Sequence, residues 1–215
     1  TMLPNVPVLK TERLILRGPA PQDIEPVIAF YADPVRSAGF GGPLKRDDAW
    51  RWFALSVGHW CLHGYGFWTV ETKGGEIVGI VGIWNPEGWP EPELGWVMFE
   101  NGEGKGYAFE AAKAVRDYAY DVLGMTTMSS NILPSNDRSK ALARKMGATR
   151  AVNVTREKLE DVTRELGMKE GFDVAFEMSG APTALPDILD NLSHGGRVAV
   201  LGLPSKEISI NWAKL

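Results

Sequence analysis

The 215-residue sequence contains one cysteine, Cys61, so no disulfide can form within the chain. A lone thiol is typical of a reducing compartment. The sequence also lacks an apolar run of the roughly 18 residues that a membrane helix needs, and it has no basic-then-apolar signal at its start. The net charge of −4 and pI of about 5.5 give no broad attraction to nucleic acid or to an anionic membrane. We therefore expect a soluble, cytoplasmic protein with neither kind of partner.

Histidine is scarce as well, with three residues in the chain. His59 and His63 are four positions apart and would share one face of a helix, which invites a metal site. The intervening residues lack the glutamate of a metalloprotease helix, and no third ligand is evident. We predict no metal. The eight tryptophans predict a packed core, with the lining of a substrate pocket as the alternative.

Residues 93–112 contain the most informative pattern: an apolar strand over 93–99, a glycine-rich turn and an alanine-rich helix that begins near Lys105. Gly102, Gly104 and Gly106 allow a ligand to approach the backbone closely. The first turn of the helix directs unpaired N–H groups and a positive dipole end into the same space. This arrangement suits a pyrophosphate, although an ordinary glycine turn is the alternative.

The residues before this stretch predict a strand, two helices and a hairpin. The strand covers 12–17, and Asp23 is a candidate N-cap for a helix that runs to about Tyr31. A second helix starts at Asp47 or Asp48. Its predicted broad apolar face consists of Trp50, Trp52, Phe53, Leu55, Val57 and Trp60. Strands 67–71 and 76–84 form the antiparallel hairpin.

After the glycine turn and its helix come a strand over 126–132 and a helix that opens with Asn136-x-x-Ser139 and ends at Gly147. This succession resembles the GCN5-related N-acetyltransferases (GNAT). Residues 9–17, Leu-Lys-Thr-Glu-Arg-Leu-Ile-Leu-Arg, followed by Pro-Gln-Asp at 21–23, look like the subgroup that acetylates ribosomal-protein N-termini and related amines. The resemblance covers about residues 8–148.

The resemblance implies acetyl-CoA as cosubstrate and an amine as acceptor. The pantetheine arm would lie where strands 93–99 and 126–132 diverge, and a backbone N–H near Val97 or Met98 would stabilise the oxyanion. The coenzyme-binding residues that it implies are Val97, Met98, Phe99, Gly102, Gly104, Lys105, Gly106, Tyr107, Ala108 and Asn136. Asn136 has a second possible role as the N-cap of its own helix.

Two residues are candidates for proton transfer. Glu93 would take the proton of the attacking amine, directly or through water, and a solvated strand-end glutamate is the alternative. The tyrosine that commonly protonates the leaving thiolate in this family is replaced by Ala143, so water or Ser139 would have to serve. The family's phosphate motif usually begins with Gln or Arg, whereas this chain has Asn101, which predicts weaker phosphate binding.

The residues after Gly147 depart from the closing hairpin of that family. They predict strand 150–154, helix 156–167, strand 172–178, helix 182–193 and strand 196–202, with the strands parallel. Residues 141–215 closely resemble the distal half of the nucleotide-binding domain of zinc-family L-threonine 3-dehydrogenase. The dinucleotide glycine turn, the ribose-binding acid and the zinc ligands belong to parts of that family that are absent here, so we do not expect NAD as a cofactor and predict that this segment is a scaffold.

We therefore predict an α/β chimera, natural or engineered, with an engineered origin favoured. A GNAT-like mixed sheet with helices on both faces (1–148) is continued by Rossmann-like βαβαβ parallel strands (149–215). The leading function is an acetyl-CoA-dependent N-acetyltransferase in which a primary amine attacks directly. The alternatives are a non-catalytic fold chimera and an NAD-binding remnant. Exposed strand edges also suggest a homodimer, and a monomeric mass by light scattering would contradict it.

Overall fold

The computed structural model describes residues 6–89, 91–126, 128–133 and 135–148, together with 161, 172–177, 189–190 and 192–200. The chain divides into two compact units, Thr1–Thr149 and Arg150–Leu215. Among the described residues, no helix is both long and apolar enough to cross a membrane.

A five-stranded antiparallel sheet forms the centre of the first unit, with its strands in the order of the chain. The strands are β1 (Leu9–Lys10), β2 (Leu14–Arg17), β3 (Phe67–Thr72), β4 (Ile77–Trp84) and β5 (Glu93–Met98). The predicted hairpin is confirmed, because β3 and β4 pair antiparallel. Strand β4 is buried along nearly its whole length, as expected for a strand covered on both faces.

Four α-helices pack on the two faces of this sheet, in agreement with the predicted fold class. They are α1 (Ile24–Ala32), α2 (Arg46–His63), α3 (Tyr107–Asp121) and α4 (Asp137–Lys145). Side chains alternate across β5. Val97 and Phe99 belong to the core with α1 and α2, whereas Leu94 belongs to the core with α3.

Asp23 immediately precedes α1, but its carboxylate does not cap the helix as predicted. The side chain is 1% exposed. It accepts two hydrogen bonds from the Arg17 guanidinium, at 2.8 and 2.9 Å, and one each from the Ala20 N–H and the Thr69 hydroxyl. The carboxylate therefore ties the start of α1 to β2 and β3, because a buried charge needs a charged partner more than the helix end needs a cap.

The predicted apolar face of α2 is too broad. Trp50 and Leu55 are 52% and 53% exposed. The buried positions follow the spacing i, i+4, i+7, i+11 on one side of the helix. They are Ala49, Phe53, Ser56 and Trp60, and His59 is buried beside them. Ala49 and Ser56 are thus buried, whereas the large side chains of Trp50 and Leu55 are exposed. The helix begins at Arg46, slightly before the predicted start.

Among the described residues of the predicted strand 126–132, the pairing is limited to one isolated parallel bridge, between Ser129 and Glu93. Beyond the bridge, side chains take the place of ladder partners. The Ser130 hydroxyl donates to the Leu94 carbonyl at 2.8 Å, and the Asn131 N–H donates to the Glu93 carboxylate at 3.2 Å. No described strand pairs with the far side of this segment.

In the second unit, β6 (Phe172–Glu177) and β7 (Leu192–Val200) pair parallel, as predicted. Strand β7 begins at Leu192, inside the predicted helix 182–193 and ahead of the predicted strand 196–202. Strand 150–154 lies outside the described residues, as do helix 156–167, apart from residue 161, and most of helix 182–193.

Candidate active site

Strand β5 has one paired edge and one edge that is open over most of its length. It pairs with β4 throughout. On the other side, the Leu94 N–H donates to the Ser129 carbonyl at 2.8 Å, and the Ser129 backbone N–H donates to the Pro92 carbonyl at 3.1 Å. The 129–133 segment leaves β5 immediately afterwards. Strand β5 and the 129–133 segment therefore start side by side and then separate, which leaves a gap next to β5.

The sheet register shows which N–H groups face this gap. In an antiparallel pair, successive N–H groups point alternately to the partner and away from it. The Phe99 N–H donates to the Val78 carbonyl at 2.9 Å, so it points towards β4. The N–H groups of Met98 and Trp96 therefore point into the gap, and no described residue accepts a hydrogen bond from either. Of the two predicted oxyanion donors, Met98 faces the gap and Val97 faces β4.

The glycine turn at the end of β5 combines one closely packed glycine with two glycines in the left-handed region. A Cβ on Gly102 would lie 2.3 Å from the Val78 carbonyl oxygen, so only glycine fits against β4 there. Gly104 and Gly106 have φ values of +71° and +76°, in the left-handed region. A Cβ on Gly104 would meet no atom within 4 Å. Gly106 is the residue directly before α3, so the helix N-terminus opens onto the turn.

Asn101 occupies the position where the family motif usually has Gln or Arg, and its side chain points away from the turn. Its amide nitrogen donates to the Ile77 carbonyl and to the Glu76 carboxylate, both at 2.9 Å. Asn101 therefore anchors the glycine turn to the start of β4.

Two arginines contact the acidic side chains of this turn. The Arg36 guanidinium lies 3.5 Å from the carboxylates of both Glu100 and Glu103. Arg138, in the first turn of α4, lies 3.8 Å from the second oxygen of Glu103. Sequence reasoning missed both arginines, because they are distant in sequence and only the α1–α2 connection and α4 bring them to the turn.

Glu93, the candidate base, is on the same side of β5 as α1 and α2 by strand alternation. One carboxylate oxygen accepts a hydrogen bond from the Trp89 indole at 2.9 Å, and the other accepts from the Asn131 N–H. Each oxygen keeps a further lone pair for a water or an amine. These contacts hold the carboxylate at the mouth of the gap.

Asn136 and Ser139 lie together at the start of α4. The Asn136 side chain accepts the Ser139 N–H at 3.0 Å, which confirms Asn136 as an N-cap. The Ser139 hydroxyl accepts a hydrogen bond from the Trp96 indole at 3.3 Å and keeps its own proton for donation. Trp96, which sequence reasoning did not single out, thus connects β5 to α4 across the gap.

The structure also places the remaining residues that were predicted to bind the coenzyme. Val97 and Phe99 are each 7% exposed, so their side chains belong to the core. The Lys105 carbonyl accepts a hydrogen bond from Arg13 at 2.9 Å, and the Arg13 guanidinium also lies over the Tyr107 ring. Ala108 is in the first turn of α3. The turn, its helix and the residues before β2 therefore form one connected region.

An open cleft of about 490 Å³ lies between residues 11–13 and α3, beside the turn rather than at the edge of β5. Glu110 is held there by hydrogen bonds from the Thr11 hydroxyl and from Arg13. Burial opposes the ionisation of Glu110, but these bonds outweigh it and lower the pKa of the carboxyl. The contact fastens the beginning of α3 to the turn before β2.

His59 has both ring nitrogens engaged inside the protein. The Asn85 N–H donates to Nε2 at 3.0 Å, so Nδ1 carries the proton and donates to the Tyr65 carbonyl at 2.8 Å. The ring stacks against His63 and Trp84. Burial lowers the pKa of His59. Within the described residues, no three His, Cys, Asp or Glu side chains are grouped as metal ligands would be.

The comparisons with known proteins agree with this geometry. Residues 13–149 match the family model described as "Acetyltransferase (GNAT) domain". A crystal structure of an acetyltransferase from Agrobacterium tumefaciens str. C58 has 38% sequence identity and a TM-score of 0.64, over 68% of this chain and 86% of that chain. The chain belongs to the GNAT acetyltransferase family. Spermidine N-acetyltransferase from Vibrio cholerae, at 17% identity and a TM-score of 0.55 over 64% and 81% of the two chains, shares the fold.

The C-terminal part matches a second family. Residues 117–215 match the model described as "Zinc-binding dehydrogenase". L-Threonine 3-dehydrogenase from Shewanella baltica (strain OS185) is 60% identical over 80 residues, which is 37% of this chain and 24% of that protein. The chain thus spans about a quarter of the length of this relative. The prediction that parts of two families meet in one chain is confirmed, and the two family matches overlap over residues 117–149.

Proposed function

We propose that the chain binds acetyl-CoA along the open edge of β5 and transfers its acetyl group to a primary amine. The observation that carries this proposal is the pair of N–H groups of Trp96 and Met98, which have no hydrogen-bond partner among the described residues and face a gap that leads directly into the glycine turn. A ligand that pairs with an exposed strand edge satisfies backbone groups that the fold leaves without a partner. The Vibrio cholerae spermidine N-acetyltransferase was crystallised in complex with CoA and spermine, which supports a coenzyme and an amine for this fold.

The two ends of the gap suit the two ends of the coenzyme. At the far end of β5, Gly104, Gly106 and the first turn of α3 offer N–H groups and a positive dipole end to the pyrophosphate. The reactive thioester would lie in the gap beside the Met98 N–H, and the amine would approach from the near end of β5, where Glu93 is the first residue of the strand. The loop before α2 also reaches this gap, because a Cβ on Gly39 would lie 3.7 Å from the Leu133 side chain.

The residues at the gap have distinct roles in the transfer. Acetyl-CoA, as a substrate, supplies the thioester carbonyl, which the amine nitrogen attacks to form the new C–N bond. The Met98 N–H stabilises the oxyanion. Glu93 takes the proton from the amine, directly or through water. When the C–S bond breaks, the thiolate takes a proton from water, and the Ser139 hydroxyl donates a hydrogen bond to it. Direct attack needs no enzyme nucleophile, consistent with one exposed cysteine, Cys61.

Calorimetric titration with acetyl-CoA, with NAD in a parallel experiment, tests the binding step. The informative variant is Gly104→Ala, and Gly124→Ala is its matched control. Both glycines have positive φ, +71° and +68°, and neither has an atom within 4 Å of a new Cβ. Both variants should lose the same small amount of stability. Only Gly104→Ala should weaken acetyl-CoA binding, by about 10- to 100-fold if one charge-assisted hydrogen bond is lost.

Acetyl transfer is tested by the release of free CoA in the presence of spermine or a peptide with a free N-terminus. Glu93→Gln should lower kcat and leave acetyl-CoA binding unchanged, because Glu93 contacts the amine and not the coenzyme. Tight binding of NAD together with no binding of acetyl-CoA would contradict the proposed function. Equal effects of Gly104→Ala and Gly124→Ala on acetyl-CoA binding would also contradict it.

A further inference from the structure

The glycine turn carries its own carboxylate at the position where the phosphates would bind. Glu103 lies between Gly102 and Gly104, and its side chain is 34% exposed. Its two oxygens lie 3.5 Å from Arg36 Nε and 3.8 Å from an Arg138 nitrogen. Charge-assisted hydrogen bonds between such groups are about 2.7–2.9 Å long. The arginines are therefore attracted to Glu103 without being hydrogen-bonded to it.

Arg36 is oriented independently of Glu103. Its guanidinium donates to one oxygen of Asp33 at 2.7 Å. The other Asp33 oxygen accepts the N–H groups of Val35 and Arg36 at 2.9 and 3.0 Å. The Nε atom of Arg36 is buried and has no hydrogen-bond partner among the described residues. A buried donor in this state favours a better acceptor than the distant Glu103 carboxylate.

A phosphate group is such an acceptor. It presents several oxygens to the planar fork of an arginine, which binds phosphate in a bidentate manner. Arg36 and Arg138 approach the turn from the α1–α2 connection and from α4, on either side of Glu103. We propose that Glu103 occupies this pair of arginines as a displaceable substitute for the coenzyme pyrophosphate. When the pyrophosphate binds, Arg36 and Arg138 leave the carboxylate and contact the phosphate oxygens. This inference depends on the proposed function only in naming acetyl-CoA as the natural ligand.

A displaceable carboxylate has a cost and a benefit for turnover. It weakens coenzyme binding for two reasons. The ion pairs of Glu103 with Arg36 and Arg138 must break, and the displaced Glu103 carboxylate stays close to the negatively charged phosphates. It also returns to the arginines when CoA leaves, which speeds product release. Removing the charge at Glu103 should therefore tighten binding, the opposite of what is expected when a residue that contacts the ligand is lost.

The test compares Glu103→Gln with Glu25→Gln. Glutamine keeps the shape of the side chain and removes its charge. Glu25 pairs with Arg46 on the exposed surface, so its variant makes the same change in net charge away from the turn. Calorimetric titrations with acetyl-CoA and with inorganic pyrophosphate should show binding about three- to tenfold tighter for Glu103→Gln, the gain expected when one or two weak ion pairs no longer have to break. Glu25→Gln should bind like the wild type.

The two probes separate failure of this inference from failure of the proposed function. If acetyl-CoA binds the wild type and Glu103→Gln equally, the inference is wrong and the proposed function stands. If acetyl-CoA binds neither protein but pyrophosphate binds Glu103→Gln more tightly, the inference stands and the proposed function is wrong. Pyrophosphate binding that is weaker in Glu103→Gln, unchanged, or undetectable in both proteins would overturn the inference.

Discussion

Replacement of Asp23 by alanine should destabilise the first unit strongly. The carboxylate is 1% exposed and accepts four hydrogen bonds: two from Arg17, one from Ala20 and one from Thr69. Asp23→Ala removes both oxygens that accept these four hydrogen bonds and leaves Arg17 with Glu71 as its remaining carboxylate partner. Breaking a buried ion pair by removing one partner costs about 3–5 kcal/mol. With a urea dependence of about 2 kcal/mol/M, the unfolding midpoint should fall by roughly 1.5–2.5 M.

Two further variants show whether burial is the cause. Glu25→Ala breaks the exposed pair with Arg46 and should leave the midpoint nearly unchanged, because solvent screens that interaction. The double variant Asp23→Ala/Arg17→Met should be less destabilised than the sum of its single variants, since it also removes the guanidinium that Asp23→Ala leaves without its buried partner. Urea unfolding followed by tryptophan fluorescence measures the wild type, these variants and the single variant Arg17→Met. A midpoint for Asp23→Ala close to that of Glu25→Ala would refute the reasoning.

Three further predictions concern stability. Because burial lowers the pKa of folded His59, the unfolded state binds a proton more readily, so the free energy of unfolding should fall as the pH drops below about 6.5; urea midpoints at pH 7.5 and 5.5 should differ less in His59→Gln, and an equal difference would contradict this. Gly102→Ala should cost about 1–3 kcal/mol, since its Cβ would lie 2.3 Å from the Val78 carbonyl oxygen; an unchanged melting temperature would be incompatible with that contact. Asn136→Ala removes the acceptor of the Ser139 N–H and should cost about 1 kcal/mol in thermal unfolding, whereas Asn136→Asp, which keeps an acceptor, should not.

The parts of the fold that local patterns determine could be predicted from the sequence. Gly106 and the alanine-rich run after it identify the turn and α3, because both depend on residues a few positions apart. The Asn136 cap and the Gly147 end of α4 are equally local, with Gly147 at a φ of +90°. The hairpin of β3 and β4 follows from a short glycine turn between two apolar runs.

Features that depend on distant residues could not be predicted in this way. Asp23 has a sequence position typical of an N-cap, and only its approach to Arg17 and Thr69 shows that it is a buried ion-pair partner. The segment 126–132 has strand-like residues, but a strand also needs a neighbour, and its described part has one bridge. The contact of Arg36 with Glu103 joins residues 67 positions apart, and no spacing rule indicates it.

The hydrogen bond between the Trp96 indole and Ser139 gives the protein an intrinsic optical probe. This indole is partly buried at the gap, and its N–H reaches the helix on the other side. A ligand that enters between β5 and α4 changes the polarity around the ring and its hydrogen bond, so the emission of Trp96 should respond to occupancy of the gap. A Trp96→Phe variant reports the emission of the other seven tryptophans, among them Trp89 beside Glu93, and subtracting it isolates the signal of Trp96. Occupancy can thus be followed without a label.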